Sequence, residues 1–412
     1  MLTVLRQRNF ALLWFGQLIS TLGDWVLFVG LPVYIYEQTG SALATGAVFL
    51  TQSVTSVLLG SIAGVFVDRL DRKRTMIIAD LLRALFLLPL LVVRSPEWLW
   101  LVYPVAFIEA VIAQFFDPAK DAIIPHLVGE KDLMAANSLN ALSGASTILV
   151  GPLIGGALME LLGLRSVVLL DAFSFLLSAA AISFIVLRHE RYAEETGIDF
   201  SSAVSTWTDV WKKWLEGLRL VRTENWLAVL FVIVGLSASG QGVVTVLYVV
   251  FVKQVLRGGA MEYGWLVAVQ GIGGIAAGFI IGKIGSRLHP LSWIMFSRLA
   301  VGLIFLAMFS FPWLPLTLAL SAVLAIPATA YNVSMQTLIQ TGVPDGYRGR
   351  ILGARATTYA LLALLGMGLA SILGDVISVT TVLQIGGGLF FMAGVFAVTK
   401  LRGYRQEWSI DK

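Results

Sequence analysis

Long apolar segments recur along the whole chain, separated by short polar stretches. Each runs for about 20 residues, the length that an α-helix needs to cross the ~30 Å hydrocarbon core of a bilayer. The segments do not alternate polar and apolar residues with period two, as the strands of a membrane β-barrel do. The pattern predicts twelve transmembrane helices, at residues 10–36, 43–66, 75–93, 98–116, 134–160, 166–187, 226–252, 261–282, 291–311, 313–334, 352–374 and 379–400. We therefore expect an all-α polytopic membrane protein.

Basic residues are concentrated on one side of these spans. The loops after odd-numbered spans hold only Arg94, Arg165, Lys253 and Arg257. Almost all the other Lys and Arg residues lie at the termini or in the loops after even-numbered spans. Because positive charge accumulates in cytoplasmic loops, we expect a multi-pass protein of the inner (plasma) membrane with both termini cytoplasmic.

The composition excludes several other classes of protein. Only 13% of the residues are charged and the mean hydropathy is +0.85, whereas soluble domains carry about 25% charged residues. The chain has no cysteine, and its three histidines are isolated, so we expect no metal site and no cofactor. It has neither a nucleotide-binding P-loop nor a hydrolase triad, so we expect no enzyme. The net charge of +4 follows from the topology and indicates no nucleic-acid partner.

The two halves of the chain are related by a nearly constant offset in residue number. Arg83 in the first half matches Arg298 in the second, and Gly151 matches Gly366. Such a repeat is typical of transporters, whose substrate site lies between the repeats near the middle of the membrane. We expect two pseudo-symmetric six-helix bundles, at residues 1–187 and 226–412.

A polar linker, residues 188–225, joins the halves on the cytoplasmic side. Its apolar residues recur at helical spacing, with charged residues on the other faces. The pattern predicts an amphipathic helix at the membrane interface, interpreted as a joining element. The apolar positions are Trp207, Trp211, Trp214, Leu215, Leu218 and Val221.

The loop after the second span reads GVFVDRLDRKR, residues 64–74. It resembles the signature between helices two and three of the major facilitator superfamily, although Asp71 stands where that pattern has glycine. The resemblance implies the major facilitator fold and a cytoplasmic gate, in which Asp68 faces the N-terminus of helix eleven, where the helix dipole favours anions. The alternative is that the basic residues only anchor the topology. The gate would comprise Gly64, Asp68, Arg69, Arg72, Lys73, Arg350 and Arg355.

Two further stretches of sequence resemble particular subgroups of this superfamily. In the fifth span, GPLIGG resembles the signature of the superfamily's drug:proton antiporters; its residues are Gly151, Pro152, Gly155 and Gly156. Proline can kink a helix and glycines allow close helix packing, and the sequence leaves both interpretations open. The stretch VPDGYRGR, residues 343–350, is similar to the subgroup of macrolide and enterobactin exporters.

Ionisable residues inside spans indicate function, because they are costly to insert. The duplicated Arg83 and Arg298 are interpreted as structural, near Asp117 and Asn332. Asp171, near the outer end of its span, is expected to be hydrated. Glu109 either couples protons or pairs with Arg83, and the sequence does not decide between these roles.

Polar residues also line up along three helices that surround the cavity in the superfamily. Asp24 shares a face of helix one with Gln17, Thr21 and Phe28. The other polar positions are Asn140 and Thr147 in helix five and Ser237, Gln241, Thr245 and Tyr248 in helix seven. The resemblance implies that these residues line a substrate cavity. From their position inside the spans, we expect Asp24 to couple protons, together with Glu109 if Glu109 does not pair with Arg83.

The resemblance implies a monomeric secondary transporter that exports amphipathic small molecules, such as drugs, macrolides or siderophores, in exchange for protons by alternating access. Its partners would be the substrate, protons and the lipid bilayer. An uptake symporter or a lipid or lysophospholipid flippase of the same fold is the main alternative. A membrane scaffold or enzyme that transports nothing is the remaining one.

Overall fold

A computed structural model describes residues 2–67, 70–186, 224–285 and 289–410, together with positions 211, 212, 214–216, 218, 219 and 221. Within this part, the chain forms twelve helices that are long and apolar enough to cross a membrane, which confirms the fold class. They are α1 (Arg8–Thr39), α2 (Ala42–Val67), α3 (Arg72–Leu87), α4 (Val102–Val128), α5 (Leu133–Leu162), α6 (Leu164–Ser183), α7 (Asn225–Gln254), α8 (Ala260–Ile284), α9 (Pro290–Ser310), α10 (Leu314–Gly342), α11 (Asp345–Val376) and α12 (Val379–Ile410).

Several helices extend past the predicted spans. Helix α4 continues to Val128 although its predicted span ends at 116, and it contains Pro118 and Pro125. Helix α11 begins at Asp345, whereas its predicted span begins at position 352. Charged residues end the stretch that suits hydrocarbon, but they do not interrupt the hydrogen bonds of the helix. The predicted spans therefore cover the apolar part of these two helices rather than their full length.

The helices group into two compact units. The first contains α1, most of α2, α3 to α6 and the first part of α8, Gly259–Ala268. The second contains Ser41–Leu50 at the start of α2, then α7, the rest of α8 and α9 to α12. The N-terminal parts of α2 and α8 thus belong to different units from the remainder of those helices.

In the linker, the described positions from 211 to 221 are helical. The ring of Trp211 meets that of Trp214 edge-on, with their centroids 5.0 Å apart. The indole nitrogen of Trp214 donates to the hydroxyl of Thr358 on α11 at 3.3 Å. This segment therefore packs within the second unit. Trp207, which opens the predicted amphipathic helix, lies outside the described residues.

Small residues allow close contacts between α5 and its neighbours in the first unit. A Cβ on Gly151 would meet the side chain of Trp25, and one on Gly155 would meet the backbone of Val26 on α1. A Cβ on Gly156 would meet the backbone at the start of α8. Helix α5 contains a proline, at position 152, and continues beyond it to its end at position 162. These contacts favour the interpretation of the glycines as packing residues.

In each unit, a carboxylate on one helix also caps the N-terminus of another helix. In the second unit, Asp375 of α11 accepts hydrogen bonds from the backbone of Ala42 at 2.5 Å and Leu43 at 3.1 Å. In the first unit, Glu160 of α5 accepts from the backbone of Ala260 at 2.8 Å. Glu160 and Asp375 are separated by the same offset as Arg83 and Arg298, so the repeat duplicates this cap. The free N–H groups of a helix N-terminus are satisfied well by an anion.

We expect Asp375→Asn and Glu160→Gln each to lower the apparent melting temperature of the detergent-solubilised protein. Loss of a helix cap costs about 1 kcal/mol, and the amide lacks the charge that interacts with the helix dipole. Glu97→Gln, at an exposed position, serves as the control and should leave the melting temperature unchanged. Equal melting curves for all three variants and the unmodified protein would contradict this assignment.

Candidate functional site

Arg83 lies at the centre of a buried polar cluster in the first unit. Its Nη2 lies 2.5 Å from Oδ1 of Asp24 on α1, and its Nε lies 3.0 Å from Oε2 of Glu109 on α4. The guanidinium carbon lies 3.9 Å from the centre of the Phe175 ring on α6. Glu109 therefore pairs with Arg83, which was one of the two roles left open for it. The same arginine also contacts Asp24.

The prediction that Asp117 lies near Arg83 was wrong. Asp117 pairs instead with Lys120, one turn along α4, at 2.7 Å, and its side chain is mostly exposed. Asp117 lies just past the apolar span predicted for α4, which ends at position 116. Glu109, two turns earlier, is the acid of α4 that reaches the arginine.

Two more carboxyl groups belong to the cluster. Asp171 of α6, which we expected to be hydrated, is fully buried and interacts electrostatically with Arg83, Asp24 and Glu109. Asp80 lies one turn before Arg83 on α3, is also fully buried, and interacts with both Arg83 and Asp24. Asp80 is not among the predicted site residues, although its spacing from Arg83 places both on one helix face.

The charge of the cluster does not balance when every group is ionised. Four carboxyl groups, those of Asp24, Asp80, Glu109 and Asp171, surround the one guanidinium of Arg83. Burial strongly disfavours an ionised carboxylate without a partner, and neighbouring carboxylates repel each other. The cluster is therefore suited to holding protons. Asp24 is its most accessible member, with 39% of its side chain exposed.

A cavity of about 250 Å³ lies between α1, α4 and α5 in the first unit. Polar side chains and aromatic rings of α1 line it. Asp24 and Phe28 do not line it, and Phe28 packs edge-on against Trp25. The structure thus brings together four of the predicted cavity residues, Gln17, Thr21, Asn140 and Thr147.

The second unit contains a cavity of about 130 Å³, lined by Ser237 and Gln241 of α7 among others. Arg298 also lines it, together with Asn332 of α10, the residue that we expected near this arginine. Two of the four predicted residues of α7 therefore face a cavity, and they share it with a buried basic side chain.

The other two predicted residues of α7 do not line this cavity. The hydroxyl of Thr245 accepts a long hydrogen bond from the Gln241 amide at 3.4 Å. Tyr248 is buried against α10, where its hydroxyl lies 2.9 Å from that of Ser321. The prediction failed at Tyr248 because residues of α7 further along the helix face a different part of α10.

The charged loop is described only in part. Asp68 and Arg69 lie outside the described residues, and Gly64 falls within α2. Lys73 donates to the backbone oxygens of Ser183 and Ile185 at 2.8 and 2.7 Å, where a cation satisfies the free carbonyls at the end of α6. The gate predicted for Asp68 therefore stays a prediction.

Arg72 of the predicted gate and the neighbouring Asp71 have local structural partners. Arg72 donates to the backbone oxygen of Ala122 at 3.0 Å. Asp71, which departs from the family pattern, caps α3 by accepting from the backbone of Arg74 at 2.8 Å.

The two predicted gate residues of α11 lie at its N-terminal end. Arg350 lies 3.6 Å from Glu216 of the linker, and both side chains are about half exposed. Arg355 lies further along α11, and its Nε is buried without a hydrogen-bond partner among the described residues. The linker is thus joined to α11 by an ion pair as well as by the hydrogen bond of Trp214.

The chain is similar to known efflux proteins over nearly its whole length. It is 28% identical to the multidrug efflux pump Tap of Mycolicibacterium fortuitum, over 88% of each chain. It is 21% identical to macrolide efflux protein A of Streptococcus pyogenes, over 94% of each chain. A crystal structure of a bacterial homologue of the iron transporter ferroportin, in an inward-facing state, shares the fold. The TM-score is 0.75 at 16% identity, and the match covers 95% of this chain and 98% of that one.

The family profile that matches is that of the Major Facilitator Superfamily, over residues 13–367 and, in a second match, 230–409. Together the two matches cover nearly all of the twelve helices. They agree with the twelve membrane-spanning helices of the described chain. The chain is therefore a multi-pass membrane transporter that belongs to the Major Facilitator Superfamily.

Proposed function

We propose that this transporter exports amphipathic small molecules across the plasma membrane in exchange for protons. The observation that carries the coupling is the cluster around Arg83, in which four buried or half-buried carboxyl groups share one arginine. Direction is supported by the similarity to efflux proteins. The distribution of basic residues supports cytoplasmic termini.

In this proposal Asp24 is the acid that exchanges protons with the solvent, because it is the most accessible of the four carboxyl groups. Glu109 lies deeper and shares Arg83 with it. A proton bound by either acid leaves Arg83 free to pair with the other, so the cluster can change its proton content without exposing an unpaired arginine. Substrate that stabilises the deprotonated cluster would expel a proton, and the coupling must be reciprocal.

The proposed activity can be tested in everted membrane vesicles that contain the protein and hold an acid interior. A panel of amphipathic compounds would be added while a pH-sensitive dye inside the vesicles is followed. An exporter should release protons from the interior as it moves a compound inward. A compound that is transported without any change in the pH gradient would contradict proton coupling. Transport only out of everted vesicles would contradict export.

The proposed orientation gives a separate prediction, made simple by the absence of native cysteine. Phe200→Cys in the linker should be modified by a membrane-impermeant maleimide only after the cells are opened. Ser95→Cys, between α3 and α4, is the matched control and should be modified from outside. Labelling of Phe200→Cys in intact cells would overturn the orientation.

A further inference from the structure

Arg298 on α9 is a buried cation without a counter-charge in the described part of the chain. Its guanidinium carbon lies 3.5 Å from the centre of the Tyr331 ring and 5.5 Å from that of Phe390. Only 6% of the residue is exposed, and its Nε has no hydrogen-bond partner among the described residues. Aromatic faces attract a cation, but they do not replace the anion that a buried guanidinium ordinarily pairs with.

The repeat shows what is missing around Arg298. Its counterpart Arg83 lies over Phe175, and Phe175 matches Phe390 at the same offset that relates the two arginines. The arginine and the ring beneath it are therefore duplicated, whereas the acids are not. The first unit supplies its own counter-charge, and the described residues of the second unit do not. The positions that match Asp24, Glu109 and Asp171 hold Ser239, Leu324 and Gly386.

The space next to Arg298 suits a small amphipathic ligand. Apolar side chains form part of the wall of the 130 Å³ cavity, and they include Leu324, which stands where the first unit has Glu109. A guanidinium group binds a carboxylate through two parallel hydrogen bonds, and it repels a cation. The polar part of the wall is formed by Ser237, Gln241, Asn332 and Tyr359.

We propose that this cavity binds the carboxylate of an amphipathic substrate, with Arg298 as its counter-charge. This inference rests on the proposed transport of amphipathic molecules and adds the charge of the group that is recognised. It also gives the duplicated arginines different roles. Arg83 holds an internal acid cluster, and Arg298 pairs with an acid that arrives with the substrate.

The test is a fluorescence titration of the purified full-length protein in detergent. The probes are dansylglycine, which carries a carboxylate, and its methyl ester, which does not. We expect the acid to bind at least about tenfold more tightly than the ester, since a hydrogen-bonded pair with a charged group is worth that much or more. Because the titration uses no pH gradient, its result is independent of whether transport is coupled to protons.

Matched variants at Leu324 make the test specific. Leu324→Glu places a carboxylate beside Arg298, as Glu109 stands beside Arg83, and should abolish the preference for the acid. Leu324→Gln is nearly the same size without the charge and should retain it. Arg298→Lys keeps the positive charge but not the paired hydrogen bonds, and should retain a weaker preference. Melting curves identify any variant that does not fold.

Equal affinity of the unmodified protein for the acid and the ester would overturn the proposal, and so would a failure to bind either. Retention of the full preference by a folded Leu324→Glu variant would overturn it as well. If that variant does not fold, Arg298→Lys decides in its place: loss of all preference for the acid over the ester would show that the charge does not attract it. Arg298 would then be a structural residue held by Tyr331 and Phe390, as the sequence analysis expected.

Discussion

Replacing Arg83 with glutamine should strongly destabilise the first unit. The substitution leaves Asp24 and Glu109 without the cation that both contact, with the buried Asp80 and Asp171 close by. Removing one partner of a buried ion pair costs about 3–5 kcal/mol. We expect a large fall in the apparent melting temperature of the detergent-solubilised protein at pH 8. The fall should be smaller at pH 5, because protonation removes the unpaired negative charge.

Two variants control this prediction. Arg298→Gln changes the matching arginine of the second unit, whose Nε has no hydrogen-bond partner among the described residues, and it should cost less. A triple variant, Arg83→Gln with Asp24→Asn and Glu109→Gln, removes the charges together and should recover part of the stability. If Arg83→Gln melts like the unmodified protein at both pH values, the cluster does not hold the unit together.

The membrane-embedded part of the fold could be predicted from the sequence because it follows from single-residue properties. Apolar runs give the spans, whereas the orientation that the positions of Lys and Arg indicate stays a prediction. The C-terminal end of helix α4 could not be predicted from these single-residue properties. Asp117 and Lys120 are unsuited to hydrocarbon, but the backbone continues to Val128, since helical hydrogen bonds form equally well in the interfacial region.

The site depends on how each helix is rotated about its axis, and the sequence carries little information on that. In a membrane, a helix that is apolar on all sides has no face marked for burial. Asp171 lies about two turns after the start of α6, roughly 10 Å along the helix, so its depth alone predicts hydration. Its burial arises because α6 packs against both α1 and α3.

The duplicated arginines show a related limit. Their match between the two halves predicted a shared structural role, and the pairing of Arg83 with Glu109 was one open alternative. Two features of the sequence, taken together, could have predicted different surroundings for the two arginines. The acids near Arg83 occur in one half only, and Asp80 shares the helix face of Arg83. An arginine that is repeated without its acids has different surroundings in each half.

Asp24→Asn should abolish proton-driven accumulation of substrate while exchange down a substrate gradient continues. Asp24 contacts Arg83 and retains 39% exposure of its side chain, so it is the acid of the cluster best placed to exchange protons with water. The amide can still accept a hydrogen bond from Arg83 but cannot take up or release a proton. The substitution leaves the helices themselves unchanged, and the downhill exchange expected of the proposed transporter should therefore persist.

The measurement is proton release from purified, detergent-solubilised protein when a transported compound is added, across a pH series. Asp24→Asn should release few protons, and Glu109→Gln should show a smaller loss, because Glu109 is more deeply buried. Asp117→Asn is the matched control, since the Asp117 side chain is mostly exposed and pairs with Lys120 rather than with Arg83, and it should behave as the unmodified protein does. Normal proton release by the double variant Asp24→Asn/Glu109→Gln would show that neither acid is the coupling site. The coupling mechanism proposed for this cluster would then be wrong.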